Sequence, residues 1–349
     1  MMQAVVGETV RSSVQTTAIA LIGLAVACGG SAPGSNATDP GLTTISGTSM
    51  SGGTAADSGT GDSGDGGGSA STEKLDINEP GPPEGGCDAI DFLFVVDNSA
   101  SMATHQLALT EQFPSFITAM YAELPENIDV HVGLTTTDFD AGCAAAESTS
   151  MCQSNATLEE VEAHYRRPDQ GSDMGNGTQG RLFQFADRYF FESNSDDDPA
   201  ELSAWFTDAA VAAGEAGCSF EMPVAAAGFA AHPANLPTNN EFFRDAGALT
   251  VIFFLTDEPD KSPESKDVYV EMLADVKEEC GGTDCIFVSG LLPTCVPDIN
   301  QKLWQFMTLL SDDQDPPWGD IQLSSDYSTV FGDALADTIA EQCSMIAIP

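Results

Sequence analysis

The chain has 349 residues, of which 54 are Asp or Glu and 11 are Lys or Arg, giving a formal net charge of −43. That balance disfavours a phosphate-backbone partner such as DNA or RNA and direct adsorption to an anionic membrane, and it favours divalent cations and basic partners. With 42% hydrophobic residues there is apolar material for one large domain or two small ones.

In chain order, Arg11 precedes an apolar stretch from Ala18 to Ala27 (AIALIGLAVA). The stretch is too short to span a bilayer and has the length of a signal-peptide core, so residues 1–27 read as an export signal. It ends Ala25-Val26-Ala27-Cys28, small residues before a cysteine that resemble a bacterial lipobox. On that reading Cys28 is lipidated and becomes the mature N-terminus; ordinary cleavage near Ala27 is the competing outcome. Residues 28–86 are almost wholly Gly, Ser, Thr, Ala, Asp and Pro. They cannot bury enough apolar surface to offset their ordering entropy and read as a flexible tether. The expected location is the cell envelope, as an outer-membrane lipoprotein or at the cell surface, with the lipid as the only membrane attachment.

From residue 87 onward, strands alternate with helices. Ala89 to Val96 (AIDFLFVV) and Ala248 to Thr256 (ALTVIFFLT) are continuous apolar runs, the pattern of strands buried on both faces. Leu109, Phe113, Phe116, Ile117, Met120 and Leu124 recur at helical spacing after the first run, and Ile128 to Thr137 reads as the next strand. Residues 139–199 are polar and irregular, with a short helix around Leu158 to Tyr165. Helices follow at Ala200 to Ala213, Phe220 to Ala231, Pro263 to Glu279 and Pro297 to Leu310, with a strand at Asp284 to Leu291. A short edge strand is expected at Ile321 to Leu323 and a last helix at Ser328 to Cys343. This alternation predicts one α/β domain, 87–349, with a doubly wound, mostly parallel sheet flanked by helices.

Nine cysteines occur. Setting Cys28 aside, the even remainder in an exported chain argues for disulfides. Cys143 with Cys152 and Cys280 with Cys285 are attractive local pairs; Cys87 with Cys343 would staple the ends, leaving Cys218 with Cys295. Zinc is disfavoured, because there is no Cys-x-x-Cys and His105, His131, His164 and His232 are scattered.

Ligands of open α/β sheets collect beyond the carboxyl ends of the strands. Two acidic loops fall there. The first strand runs into Asp97-Asn98-Ser99-Ala100-Ser101, and the run at 248–256 into Thr256-Asp257-Glu258. Asp97, Ser99 and Ser101 in a tight turn can aim one carboxylate and two hydroxyls at one point, a hard oxygen set that suits Mg²⁺, Mn²⁺ or Ca²⁺. Helix capping is the competing role for the two serines. Asp138 and Asp140 read as an ordinary acidic loop, and Glu258 and Asp260 as solvated. Enzyme signatures are missing. A second acid two residues after Asp97, as a phosphatase of the haloacid-dehalogenase kind needs, is replaced by Ser99. There is no Gly-x-Ser-x-Gly elbow, no phosphate-binding Gly-x-x-x-x-Gly-Lys loop and no basic cluster to hold phosphate. The chain is expected not to be an enzyme.

Asp97-Asn98-Ser99-Ala100-Ser101 after one buried strand, with Thr256-Asp257 after another, resembles the metal-ion-dependent adhesion site of von Willebrand factor A (vWA) domains. The phrases HVGLTTTD (131–138), GRLF (180–183), GEAGCSFEMP (214–223) and VIFFLTDE (251–258) are similar to a group of secreted vWA proteins common in myxobacteria. The resemblance implies that Asp97, Ser99 and Ser101 hold a divalent cation directly or through water and that Asp257 acts from the second loop. It implies a protein partner that supplies an acidic residue to the ion. The family also provides a threonine from a loop before a helix. Here that loop falls at Gly214-Glu215-Ala216-Gly217, which puts Glu215 where threonine is expected. A glutamate there would ligate the ion and favour Ca²⁺, take the partner's coordination position, or abolish the site. A disulfide-stapled envelope scaffold with a degenerate metal site is the alternative function.

Overall fold

The computed structural model describes residues 86–139, 157–170, 175–311, 315–322, 339 and 341–346. The export signal, Cys28, the tether up to residue 85, Asp140, Cys143 and Cys152 lie outside the described residues, as does most of the last predicted helix; within it, Ile339 and residues 341–345 are helical.

The elements in order are β1 (Ala89–Val96), α1 (Ala103–Glu123), β2 (Asp129–Thr136), α2 (Leu158–Ala163), β3 (Phe190–Asn194), α3 (Ala200–Ala213), α4 (Pro223–Ala230), α5 (Leu236–Asn239), β4 (Ala248–Leu255), α6 (Lys266–Asp275), β5 (Ile286–Leu292), α7 (Lys302–Leu309) and β6 (Trp318–Asp320). They build a six-stranded sheet of order β3-β2-β1-β4-β5-β6. Every neighbouring pair is parallel except β2 with β3. This is the doubly wound sheet that the alternation predicts. β1 lies at its centre, paired over all eight residues with β2 on one side and β4 on the other.

Side chains of a strand alternate between the two faces, so the apolar run of β1 feeds two cores. Ile90, Phe92, Phe94 and Val96 pack with α1 and α3, against Phe113, Phe116, Leu202 and Phe206. Leu93 and Val95 pack with α4, α6 and α7, against Val224, Tyr269 and Leu303. The first core is aromatic at its centre: Phe206 stacks on Phe113 at 3.6 Å between ring centroids and lies 4.6 Å from Phe94. Each fully buried Phe contributes about 1.5–3 kcal/mol of transfer free energy.

One charged residue interrupts the apolar run. Asp91 is fully buried, and Arg244 clamps it with Nε to Oδ1 at 2.7 Å and backbone N to Oδ2 at 2.8 Å. His131 Nδ1 stands 3.6 Å from the same carboxylate. Nearby, the ammonium of the fully buried Lys277 donates to the carbonyl oxygens of Arg244 and, at 2.7 Å, Ala248. A buried charge is tolerable only when paired or fully hydrogen-bonded, and this network sits at the amino ends of the parallel strands.

Some boundaries differ from the sequence expectation. β3 lies inside the stretch read as irregular; only Phe190 and Phe191 give it apolar substance, and it forms because the edge of β2 has open hydrogen-bonding groups to pair. The helix expected from Phe220 starts at Pro223, where a proline at the first turn loses no hydrogen bond. The helix expected over 263–279 shrinks to α6, which starts after Ser265 caps the backbone N–H of Asp267. The helix expected over 297–310 begins only at Lys302. The edge strand is Trp318–Asp320 rather than 321–323.

Disulfides join Cys87 to Cys343 and Cys280 to Cys285, as the spacing suggested. Cys218 and Cys295 are each disulfide-bonded as well. Among the described residues no helix is long and apolar enough to cross a membrane.

Candidate metal centre

The parallel strands end side by side, and the ladder continues one residue beyond them. Asp97 N donates to Leu255 O at 2.8 Å, Thr137 N to Val96 O at 3.2 Å, and Thr256 N to Leu291 O at 3.2 Å. The turn after β1 and the turn after β4 are thereby held in fixed register. Asp97 is fully buried at their junction. Its Oδ1 accepts the Ser99 N–H at 2.9 Å and its Oδ2 the Thr256 hydroxyl at 2.9 Å. The Ser99 and Ser101 hydroxyls lie 2.9 Å apart, and Ser101 Oγ donates to Asp257 Oδ1 at 3.1 Å. Asp97, Ser99, Ser101 and Asp257 are thus linked by hydrogen bonds, the first through the Ser99 backbone N–H and the other two between side-chain oxygens.

Ser99 occupies the N-cap position of the 3₁₀ turn Ala100–Met102 that leads into α1, yet its side chain makes no capping bond. Its hydroxyl faces Ser101 instead, so the capping role is set aside for Ser99. Gln106 of α1 clips the turn in place, with Nε2 donating to Asp97 O at 3.3 Å and to Gly214 O at 2.8 Å.

The third loop differs from expectation. Glu215 is exposed and does not join the cluster. The segment Gly214–Gly217 serves another end. Gly214 closes α3 with φ +78°, and Gly217 packs on the Asp97 turn, its N–H donating to Asn98 O at 2.8 Å. A Cβ on Gly217 would lie 2.3 Å from Asn98 Oδ1, so any side chain there would have to displace the Asn98 amide. The acid that reaches the site is Glu221, six residues on and fully buried. Its backbone is held on both sides: Met222 N donates to Thr137 O at 3.2 Å, and Lys261 N to Glu221 O at 2.8 Å. Its Oε2 accepts the Thr137 hydroxyl. Its Oε1 is buried with no hydrogen-bond partner, as is Asn98 Oδ1. An acid set between Phe220 and Met222, immediately before a proline-started helix, was the available signal in the sequence.

Electrostatics mark the site as unbalanced. Burial raises the pKa of Asp97 above its usual value, against hydrogen bonds from Ser99 and Thr256 that lower it. Burial and then the Asp97 charge push Glu221 well above the usual carboxylate range. The same two causes, in the same order, push Asp257 up to about 7. The neighbouring Glu258 is not solvated as the sequence reading had it: it is buried and paired with the Lys261 ammonium, which also donates to Ser219 O at 2.8 Å. Asp260 is likewise structural, accepting Val224 N at 3.0 Å and the Ser262 hydroxyl at 2.6 Å. Asp138 is buried, and its carbonyl accepts Gln179 N at 3.0 Å. The Lys261 charge also acts on Glu221, so a single ammonium stands against the carboxyls of Glu258, Glu221, Asp97 and Asp257.

Crowded buried carboxylates must take up protons or bind a metal ion. Among the described residues no three His, Cys, Asp or Glu side chains converge as a metal-holding group by themselves. The oxygen set here is mixed, with the hydroxyls of Ser99 and Ser101 standing beside the carboxyls. Hard oxygen donors, orphaned buried oxygens and surplus negative charge together fit a divalent cation of the Mg²⁺ or Ca²⁺ type.

No protein-family model matches this chain, and no curated protein does. Solved structures similar to it include a von Willebrand factor type A protein from Catenulispora acidiphila, at 12% identity and a TM-score of 0.35, covering 74% of this chain and 43% of that one. The pilus adhesin SpaC from Lactobacillus rhamnosus GG is similar at 12% identity and a TM-score of 0.37, covering 75% and 31%. Proximal thread matrix protein 1 from the mussel byssus is similar at 11% identity and a TM-score of 0.34, covering 72% and 46%. The chain spans less than half the length of each.

Proposed function

We propose that this chain is an exported, lipid-anchored envelope protein whose vWA-like domain binds a divalent cation and, through it, an acidic group of a partner protein. Asp97, Ser99, Ser101 and Asp257 would hold the ion, and their oxygen donors suit Mg²⁺, Ca²⁺ or Mn²⁺. The observation that carries this reading is the joining of Ser99, Ser101 and Asp257 by the two hydroxyl contacts, 2.9 Å between the serines and 3.1 Å to Asp257, beside Asp97, whose Oδ1 accepts the Ser99 N–H at 2.9 Å. Access supports it too. Asp97 is buried at the back of the cluster while Ser101 is exposed at its front, so an incoming carboxylate would meet the ion from the Ser101 side. The bound ion would supply a concentrated positive charge for an acidic group to meet. Cys28 would tie the domain to the membrane through the 28–86 tether.

The test is linkage. A ligand that binds only the folded state stabilises it by RT ln(1 + [L]/Kd). Millimolar Mg²⁺ or Ca²⁺ should raise the unfolding temperature of the full chain, and Asp97→Ala should abolish the rise together with cation-dependent retention on immobilised acidic peptides. A second reading, a disulfide-stapled envelope scaffold with a degenerate site, draws on the Cys87–Cys343 closure and on the exposed Glu215. It requires that neither cation alter stability or retention. The lipid would be refuted by an intact mass showing an unmodified N-terminus at Cys28.

A further inference from the structure

We propose that Arg166 and Arg181 form a second contact for the partner, a cationic patch one strand over from the Asp97 turn that takes a further carboxylate of the same partner segment. This rests on the partner reading above and adds to it that the partner presents an acidic segment rather than a single acid. The chain has 11 Lys and Arg residues against 54 Asp and Glu, yet three of the 11, Arg166, Arg167 and Arg181, fall close together in sequence. Gln179 ties their two segments to each other. Its Nε2 donates to Arg166 O at 2.9 Å, and its Oε1 accepts from the Arg181 guanidinium at 2.7 Å. Gln179 is fully buried with a φ of +57°, a conformation that an L residue holds only where its surroundings impose it. Here its N–H donates to Asp138 O at 3.0 Å and its carbonyl accepts Asn235 Nδ2 at 2.8 Å. The loop lies at the carboxyl end of β2, because the Gly177 carbonyl accepts Thr136 N at 2.7 Å. The next residue, Thr137, donates its N–H to Val96 O, directly before Asp97. From the Arg166 segment, His164 stacks on Phe220 at 5.2 Å, next to Glu221. The patch and the candidate metal centre therefore share one end of the sheet.

The pairing of the arginines points to the ligand. Arg167 is matched within the chain, with Nη1 3.1 Å from Glu264 Oε1 and Nε 3.4 Å from Asp169 Oδ1. Arg166 is exposed, and its guanidinium donates to two backbone carbonyls, Tyr165 O at 2.6 Å and Glu162 O at 3.4 Å. Among the described residues no carboxylate pairs with it. A guanidinium carries five donors and stays charged, so Arg166 keeps donors for an incoming acid, which it would meet with charge-assisted bonds. A long polyanion such as a nucleic acid would be repelled by the rest of a surface with net charge −43. A short acidic peptide segment can touch the ion and the patch alone.

The test titrates the full chain, saturated with Mg²⁺, against fluorescein-labelled hexaglutamate and against the single-acid peptide Gly-Gly-Glu-Gly-Gly carrying the same label. The proteins are the wild type, Arg166→Gln, the joint variant Arg166→Gln with Arg181→Gln, and the joint variant Arg166→Lys with Arg181→Lys. The wild type should prefer hexaglutamate. The joint Gln variant should lose roughly tenfold in hexaglutamate affinity, as two exposed ion pairs allow, with the single-acid peptide and the calorimetric Mg²⁺ affinity unchanged. The joint Lys variant, which keeps both charges, should recover most of the loss. Arg166→Gln alone should lose severalfold, and it decides the matter if the joint Gln variant does not fold. Hexaglutamate affinity equal to that of the wild type in the Gln variants overturns the patch and leaves the ion-mediated contact standing. Binding of inorganic tripolyphosphate that the Gln variants abolish, with hexaglutamate unaffected, overturns the acidic peptide in favour of a phosphate ligand. Failure of the Mg²⁺-loaded wild type to bind either peptide overturns the partner reading and the patch with it.

Discussion

Replacing Asp97 by Asn should reverse its effect on stability when a divalent cation is added. Asp97 is fully buried beside Glu221 and near Asp257. In the metal-free protein burial and mutual repulsion oppose charging these carboxyls together, and they raise Asp257 to about 7. Removing one buried charge recovers part of a desolvation penalty of several kcal/mol. The amide keeps a carbonyl oxygen for the Ser99 N–H, and the Thr256 hydroxyl can rotate to accept from the new NH₂ group. What is lost is the charge assistance of two hydrogen bonds, about 1 kcal/mol each. The net expectation in EDTA is a variant as stable as the wild type or more stable by about 1–3 kcal/mol. Cation at a hundredfold excess over Kd stabilises the wild type by about 2.7 kcal/mol, equivalent to roughly 5–10 °C for a domain of this size, and leaves the variant unmoved. Thermal and urea unfolding of both proteins, each with EDTA and with Ca²⁺, would show the two orders of stability cross. The reasoning fails if Asp97→Asn is the less stable protein in EDTA by more than about 1 kcal/mol, or if it gains as much from Ca²⁺ as the wild type does.

Burial lowers the Lys277 pKa from 10.5 to about 8. The unfolded chain holds that proton longer, so Lys277 makes stability rise with pH between about 8 and 10.5 and exerts its full cost below pH 8. A shift of that size is worth about 3 kcal/mol, and the unfolding free energy of the wild type minus that of Lys277→Met should climb by this amount from pH 7 to 11; a flat difference refutes it. Gly217→Ala puts a Cβ 2.3 Å from Asn98 Oδ1, which must displace the buried Asn98 amide beside Asp97 at a cost of about 1–3 kcal/mol; calorimetry should show weakened cation affinity while the circular dichroism of the fold persists. Joint replacement of Cys87 and Cys343 by Ser opens a closure of 256 positions and should lower stability by about 3–5 kcal/mol, with cation binding retained because the staple lies at the opposite end of β1 from Asp97.

The strands of the sheet centre were legible because they are buried on both faces. AIDFLFVV and ALTVIFFL have no polar face to lose, and the structure forms β1 and β4 over those residues. β3 was not legible, because a five-residue edge strand with two aromatic residues carries too little periodicity to stand out from an acidic loop. The Asp-x-Ser-x-Ser turn and Asp257 could be read since each directly follows a buried strand, and the structure brings them together. Glu215 was read into the site because the resemblance places a threonine in the Gly214–Gly217 loop. Those glycines answer a different need, the end of α3 and the close packing on Asn98. Glu221 reaches the site only because β2 and the 257–261 turn grip its backbone from two directions, and no local spacing encodes a grip between segments some 40 to 80 positions apart.

The position of the Cys87–Cys343 link has a mechanical consequence. Cys87 stands two residues before β1, and Asp97 is the first residue after it. A tension entering at the tether end and resisted by a partner at the ion would run along this single central strand, from tail to tip. Its eight residues are laced to parallel neighbours on both sides, so the load falls on the whole row of hydrogen bonds at once, sliding them against one another instead of opening them in succession. The bond to Cys343 would pass part of such a pull to the C-terminal helical residues, so that β1 would carry load between its two ends.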